Sequence, residues 1–394
     1  MITPAQRLSL VQEYYFSRKL KEVAALNAAG QDIISLAIGS PDQPPSEATI
    51  ERLCEVAHEP TAHGYQPTMG TPELRIAMAG FYNRWFDVEL DAKTEVLPLI
   101  GSKEGILHVT LAFVNPGDKV LVPNPGYPTY TSLSRLLDAE IVNYDLLPAN
   151  DYQPDFAQLE AMDTSGVRLM WVNYPNMPTG APARRETYER LVRYAQKRNI
   201  VIVNDNPYSF ILGKEHQSIL QIPGAKDCCI EFNSMSKSHN MPGWRVGMLA
   251  TNAEFCSWIL KVKSNIDSGT FRAIQLAAAT AYGNSDAWHF EHNVELYARR
   301  RALAEQIMQK LGCTFDPHQV GMFLWGRIPD NIPDNCEGYA APAEVLTERV
   351  LHEARVFITP GFIFGSNGNR YVRISLCANE EKLQHALERV CALQ

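Results

Sequence analysis

The sequence predicts an α/β fold, a large unit built on a mainly parallel sheet with helices on both faces, followed by a smaller α+β unit. Three observations predict it. Seven short apolar runs rich in Val, Ile and Leu recur through the middle of the chain: EVLPLI, KVLVP, EIVNYDL, VRLMWVNY, IVIVND, CCIEF and VGMLA. Stretches with helical spacing, such as GILHVTLAFV and RETYERLVRYAQKRN, lie between them. Near-continuous apolar strands interleaved with helices imply a mainly parallel sheet buried on both faces. Beyond about residue 285 the pattern changes to a long polar helix, VELYARRRALAEQIMQKLG, then shorter strands, MFLWGRI and YVRISL, and a closing helix, EEKLQHALERVCAL.

Taken in order, RKLKEVAALNAA at 18–29 carries apolar residues at helical spacing, with Gly30 placed to cap its end. DIISLAIGSPDQPP reads as a short strand entering a Pro-rich loop. From about 46 to 90, helical patterns flank the loop HGYQPTMGTPELR, in which Thr71-Pro72-Glu73 marks a helix start. The sheet strands follow, and PDNIPDNCEGYAAPA interrupts the last unit as a loop. With 394 residues the chain is long enough for two domains. The expected division is residues 1–45 as an N-terminal arm and helix joining the small domain, 46–285 as the large domain and 286–394 as the small one. No internal repeat or low-complexity segment is visible.

A composition of 45% hydrophobic and 20% charged residues is that of an ordinary globular protein. The formal net charge of -8, with no basic stripe, disfavours nucleic acid and anionic membranes as partners. No apolar run is long enough to span a bilayer, and the N-terminus has no signal-peptide pattern, so a cytoplasmic protein is expected. The eight cysteines form no C-x-x-C pair or zinc spacing, so no metal site is expected and they read as reduced core residues.

Four motifs stand in order along the chain. NSMSKSHNMPGWRVG (233–247) sets Lys237 among small polar residues, with Ser234 before it and Arg245 after it. An amine that must form an imine needs a lowered pKa, from burial or nearby positive charge. A phosphate asks for an arginine fork, hydroxyls and free backbone N–H groups. IVIVNDNPYSFI (200–211) delivers Asp205 at the end of an apolar strand, with Tyr208 three residues on. LIGSKEGILHV (99–109) ends a strand in Gly-Ser and opens a helix whose N-terminus suits an anion, with Ser102 and Lys103 there and PNPGYPTY, carrying Tyr127, behind it. YVRISLC (371–377) places Arg373 on a strand, where a bidentate fork can fix a carboxylate.

Together these strings, over nearly the whole chain from about residue 30, resemble the class I/II aminotransferases, which are fold type I pyridoxal-phosphate (PLP) enzymes. GSKEGI and KSNIDSGTFRAIQ look closest to the subgroup holding LL-diaminopimelate, alanine and some aspartate aminotransferases. The resemblance implies an aspartate aminotransferase-like three-layer αβα domain with a seven-stranded sheet, and a pyridoxal 5'-phosphate cofactor held as an imine by Lys237. It implies Asp205 against the ring nitrogen, Tyr208 on the ring's phenolic oxygen, Tyr127 stacked on the ring, and Ser102, Lys103, Ser234 and Arg245 on the phosphate. Arg373 would grip the substrate carboxylate, and AIGSPD, with Gly39, would close over it. GYQPTMGTPELR would send Tyr65 to the phosphate of a partner subunit, making a homodimer. Arg272, in DSGTFRAIQ, lies near where dicarboxylate-specific relatives bind the distal carboxylate across the dimer.

One departure stands out. The usual Asn-Pro-Thr-Gly is NYPNMPTG here, so Met177 takes the place of an asparagine that contacts the phenolic oxygen. Met cannot donate that hydrogen bond, and Asn176 or Asn173 is the expected substitute. The implied reaction moves an amino group between an L-amino acid and a 2-oxo acid by a ping-pong mechanism. The alternative on the same machinery is β-elimination of a sulfur amino acid, because only the bond orientation at Cα separates the two. An idle binding protein or regulator is disfavoured, since no basic DNA-binding extension is present.

Overall fold

The structure is a computed structural model describing residues 2–11, 15–213 and 215–393. Residues 1 and 12–14 of the expected arm, Lys214 and Gln394 lie outside the described residues.

In chain order the strands are β1 (Ile34–Ser35), β2 (Val96–Leu99), β3 (Lys119–Asn124), β4 (Glu140–Asp145), β5 (Val167–Val172), β6 (Val201–Asp205), β7 (Cys229–Ser234), β8 (Gly247–Ala250), β9 (Phe323–Arg327), β10 (Val356–Phe357), β11 (Thr359–Pro360) and β12 (Tyr371–Ser375). Seven of them form one sheet in the order β2-β8-β7-β6-β5-β3-β4. The inner pairs β7·β6, β6·β5, β5·β3 and β3·β4 are parallel, and only β8 runs against its two neighbours. This is the mainly parallel α/β sheet expected from the apolar runs.

Successive strand residues point to opposite faces, and here both faces are apolar. Leu97, Leu169, Trp171, Val203, Ile230, Phe232 and Leu249 pack on one side with Ile106 and Val109 of the helix Ser102–Phe113. Their chain neighbours Val96, Met170, Val172, Ile202, Cys229, Met248 and Ala250 pack on the other side with Leu191 and Ala195 of the helix Arg185–Arg198. Two buried faces explain why these strands read as unbroken hydrophobic runs.

The last third of the chain builds a second core around the antiparallel sheet β11-β12-β9, covered by the helices Leu296–Lys310, Pro342–Glu353 and Glu380–Cys391. The N-terminal helix Tyr15–Ala28 packs on this region through Val23 against Leu351 and Phe357, and Lys19 pairs with Glu348 at 2.6 Å. β1 pairs with β10 in parallel, tying the incoming chain to the same unit.

Local signals hold where their chemistry is specific. Thr71 caps the helix Pro72–Phe86 by accepting from the Leu74 N–H, and Gly30 adopts φ +82 just past the end of the first helix. Two expectations are corrected. The loop at 329–343 stops two residues early, because Pro342 is the first residue of a helix, where a missing N–H costs nothing. The cysteines are all free, but Cys54 and Cys391 are exposed and Cys336 is half-buried, so only the other five are core residues. Among the described residues no helix is long and apolar enough to cross a membrane.

Candidate active site

In an open parallel sheet the carboxyl ends of the strands deliver loops to one edge, and sites form there. β2 leads through Gly101 to Ser102, β3 to Tyr127, β5 to Asn173, β6 ends on Asp205, and β7 ends on Ser234 just before Lys237. β8 runs the other way, so Arg245, two residues before its start, reaches the same edge. The small domain closes the space from above with Phe323 of β9 and Arg373 of β12. These side chains, with Lys103, Tyr208 and the backbone of Gly39, line one cavity of about 290 Å³.

Lys237 donates to the Gly39 carbonyl. Burial drives its ammonium below the usual lysine pKa, and the nearby Arg245 and Arg373 guanidinium groups push the same way against Cys377. Lowering an amine's pKa raises the share of the neutral, nucleophilic form. A Cβ at Gly39 would collide with the Phe323 ring, so a larger residue there would force that ring to move.

Asp205 is buried on all sides. Its Oδ2 accepts from the Tyr130 hydroxyl at 2.9 Å, while its Oδ1 has no hydrogen-bond partner. Burial raises the carboxyl to about 6, and the Tyr130 bond works against that rise. A buried acceptor left open costs about 1–3 kcal/mol, so this oxygen calls for a donor from a bound molecule. Tyr130 in turn stacks on Trp171, with ring centroids 4.8 Å apart and planes 3° apart.

At the opposite end of the cavity the 12-residue helix Ser102–Phe113 presents its N-terminus. Gly101 has φ +75, and a Cβ on it would strike the Arg245 guanidinium, which therefore lies directly against the turn. That guanidinium donates to the Pro242 carbonyl at 2.9 Å. Ser234 and Ser236 add hydroxyls to the lining. Backbone N–H groups, an arginine and hydroxyls make an anion cup.

Arg373 is almost fully buried, and its side chain lies between two rings, 3.8 Å from the Phe323 centroid and 4.6 Å from that of Phe364. It donates to the Ala37 carbonyl at 3.0 Å and to the Met177 sulfur at 3.3 Å. Sandwiched in this way, the guanidinium is pre-oriented for a carboxylate.

Three predicted residues lie outside this cavity. Asn176 spends its amide inside a turn, donating to the Asn173 carbonyl at 3.1 Å and accepting from the Thr179 hydroxyl at 2.7 Å. Asn173 lines the cavity instead, bonded to the Asp205 carbonyl at 2.5 Å and to the Met177 N–H at 2.7 Å. Arg272 begins the helix Arg272–Ala281 and pairs with Glu59 of its own chain. Tyr65 is 96% exposed. Sequence reasoning also missed Tyr130. The only signal was its place three residues after Tyr127, close to one helical turn.

Pyridoxal phosphate fits these residues. Asp205 Oδ1 lacks a donor of the kind a protonated ring nitrogen would supply, the cup would suit the phosphate, and Lys237 in the same cavity offers an amine for the aldehyde. Few cofactors ask for all three, so fold and site define a pyridoxal-phosphate enzyme.

The comparisons narrow the class. The family described as aminotransferase class I and II matches residues 31–390, and the chain belongs to it. It is 42% identical to the LL-diaminopimelate aminotransferase of Oleidesulfovibrio alaskensis over 99% of each chain. Among solved structures, substrate-bound BacF from Bacillus subtilis superposes with a TM-score of 0.90 at 31% identity, covering 99% of this chain and 97% of that one. A Thermus thermophilus aspartate aminotransferase single mutant gives a TM-score of 0.90 at 26% identity over 99% of each. The chain is a PLP-dependent aminotransferase acting on amino acids and 2-oxo acids, with the aspartate aminotransferase-like fold.

Tyr130→Phe removes the one hydrogen bond seen on the Asp205 carboxylate. A bond to a charged group is worth about 1.5–3 kcal/mol, so kcat is expected to fall about tenfold to a hundredfold. KM for the amino acid should change less than kcat, because the Tyr130 hydroxyl is spent on Asp205. Steady-state kinetics at saturating cofactor reads both.

Proposed function

We propose that the enzyme transfers the amino group of LL-diaminopimelate or a close analogue to a 2-oxo acid, with Lys237 as the catalytic amine and Arg373 holding the α-carboxylate. The observation that carries the residue assignment is the single cavity in which the low-pKa Lys237, the open Asp205 oxygen and the anion cup converge. The substrate rests on the named relatives, the first of them 42% identical over 394 residues.

The bound cofactor supplies an aldehyde for the amino group and a ring that draws electrons from Cα. The chain does the rest. Arg373 fixes the carboxylate, and with it the orientation of the Cα–H bond toward Lys237. The Lys237 amine would take and carry the Cα proton. Asp205 keeps the ring nitrogen protonated. Tyr208, whose hydroxyl pKa is raised by burial and by Asp205, stays neutral and can donate a hydrogen bond. Of the two expected substitutes, Asn176 and Asn173, Asn173 serves, with the Met177 thioether packed on Arg373.

The working unit is a homodimer in which Tyr65 enters the partner's phosphate cup. A tyrosine 96% exposed in the single chain, with Ile266 and Phe271 also exposed, supports this. Eight free thiols, including the adjacent and unbridged Cys228 and Cys229, suit a reducing cytoplasm.

The test compares kcat/KM for LL-diaminopimelate, glutamate, aspartate and alanine with one 2-oxo acid acceptor. LL-diaminopimelate is expected to lead. If aspartate leads instead, the substrate assignment falls while the residue roles stand.

A further inference from the structure

A buried charged cluster lies directly beneath the Gly101–Ser102 turn, and nothing above assigns it a role. Glu104, the third residue of its helix, reaches back to accept the Ile100 N–H at 2.5 Å through Oε2. Its Oε1 lies 2.8 Å from His108 Nε2 and 3.4 Å from Lys263 Nζ. Lys263, 2% exposed, closes the helix Ala253–Lys263 and also pairs with Asp267. Asp267 Oδ1 accepts the Gly269 N–H at 3.0 Å. Glu104, His108 and Asp267 bring ligand atoms within 4.8 Å of one another, and the Lys263 ammonium is shared by the two carboxylates, Glu104 and Asp267.

This arrangement has a cost and a remedy. An acid at the third helical position that reaches back toward the cap is a known way of fixing a helix start. Here it takes Ile100, which leaves the next N–H groups free for an anion. Its negative charge, however, sits within one helical turn of the place where the anion binds, and like charges repel. Burial also works against the Glu104 carboxylate, yet the bond to His108, the Lys263 ammonium and the Ile100 N–H hold it below the usual carboxylate range, so it stays charged.

We propose that Lys263 is a positioning residue for phosphate binding, neutralising the turn-shaping carboxylate of Glu104 so that the helix N-terminus keeps its attraction for the cofactor phosphate. This rests on the assignment of the Ser102 turn to that phosphate. Lys263→Met exposes the cup to an uncompensated charge. Glu104→Gln retains an acceptor for Ile100 and carries no charge, so it repairs the fault when combined with Lys263→Met. A merely structural ion pair predicts that the repair shows in stability alone, with the preference for the phosphorylated compound unchanged throughout.

The experiment titrates the full-length protein, stripped of cofactor, with pyridoxal phosphate and separately with pyridoxal, following visible absorbance. The readout is the ratio of the two dissociation constants, so a general loss of stability cancels. Lys263→Met is expected to reduce the preference for the phosphorylated form about tenfold or more. The double variant Glu104→Gln/Lys263→Met is expected to recover part of it, because the Asp267 carboxylate remains. An unchanged ratio in Lys263→Met, or a double variant no better than the single, overturns the proposal. Should Lys263→Met not fold, Glu104→Gln alone decides. Its preference should hold or rise, and a fall overturns the proposal. A parent protein that binds both compounds equally would instead refute the phosphate cup itself.

Discussion

Lys237→Ala abolishes transamination, lowering kcat by at least about 10⁴-fold, because one side chain serves as both amine and proton carrier. The same variant loses the visible absorbance of the covalently held cofactor, and pyridoxal phosphate leaves it on desalting. Thermal unfolding should show no loss of stability in the cofactor-free protein. Lys237 is buried and faces the guanidinium groups of Arg245 and Arg373, which oppose its charge. Removing it relieves a cost that only the reaction justifies. A variant that loses activity together with its fold would give Lys237 a structural role instead.

Asp205→Asn carries the second large effect. The substitution keeps the shape and the Tyr130 contact but removes the charge that holds a ring nitrogen protonated. Breaking a buried ion pair costs about 3–5 kcal/mol, so kcat should fall about 10²- to 10⁴-fold. In the cofactor-free protein the effect on stability has the opposite sign. Burial raises the Asp205 carboxyl to about 6 in the folded state, against about 3.9 for an unfolded chain. The folded state therefore binds the proton more tightly. That stability is fully present below about pH 4 and is lost as the pH rises through about 6, where the cost reaches about 3 kcal/mol at most. Asp205→Asn should be the more stable protein at pH 7, with the difference shrinking toward pH 4. Calorimetry across that range checks it.

Much of this was legible before any coordinates. A strand buried on both faces must be apolar throughout, so the seven strands announced themselves as runs. Lys237, Asp205 and Arg245 sit in strings whose order a strand-to-loop topology then gathers at one edge, where Arg373 meets them from the second sheet. What the sequence hid depends on turns and on packing between distant segments. Asn176 and Asn173 are equivalent on paper, and only the turn that closes on Thr179 decides which amide faces the cavity. Tyr130 gains its meaning from a residue 75 positions away. The exchange of Asn for Met at 177 is visible in the sequence, but its consequence, a thioether packed on Arg373, needs the small domain in place. The two-residue strand β11 is too short to show any period at all.

The central claim is that this cavity moves an amino group and does not eliminate one. The direct measurement adds one amino acid, LL-diaminopimelate or glutamate, to the cofactor-loaded protein with no 2-oxo acid present. One equivalent of 2-oxo acid per site, no ammonia, and conversion of the cofactor absorbance to that of its aminated form is the expected result. Continued release of ammonia with pyruvate or a thiol from a sulfur amino acid, without that conversion, would contradict it.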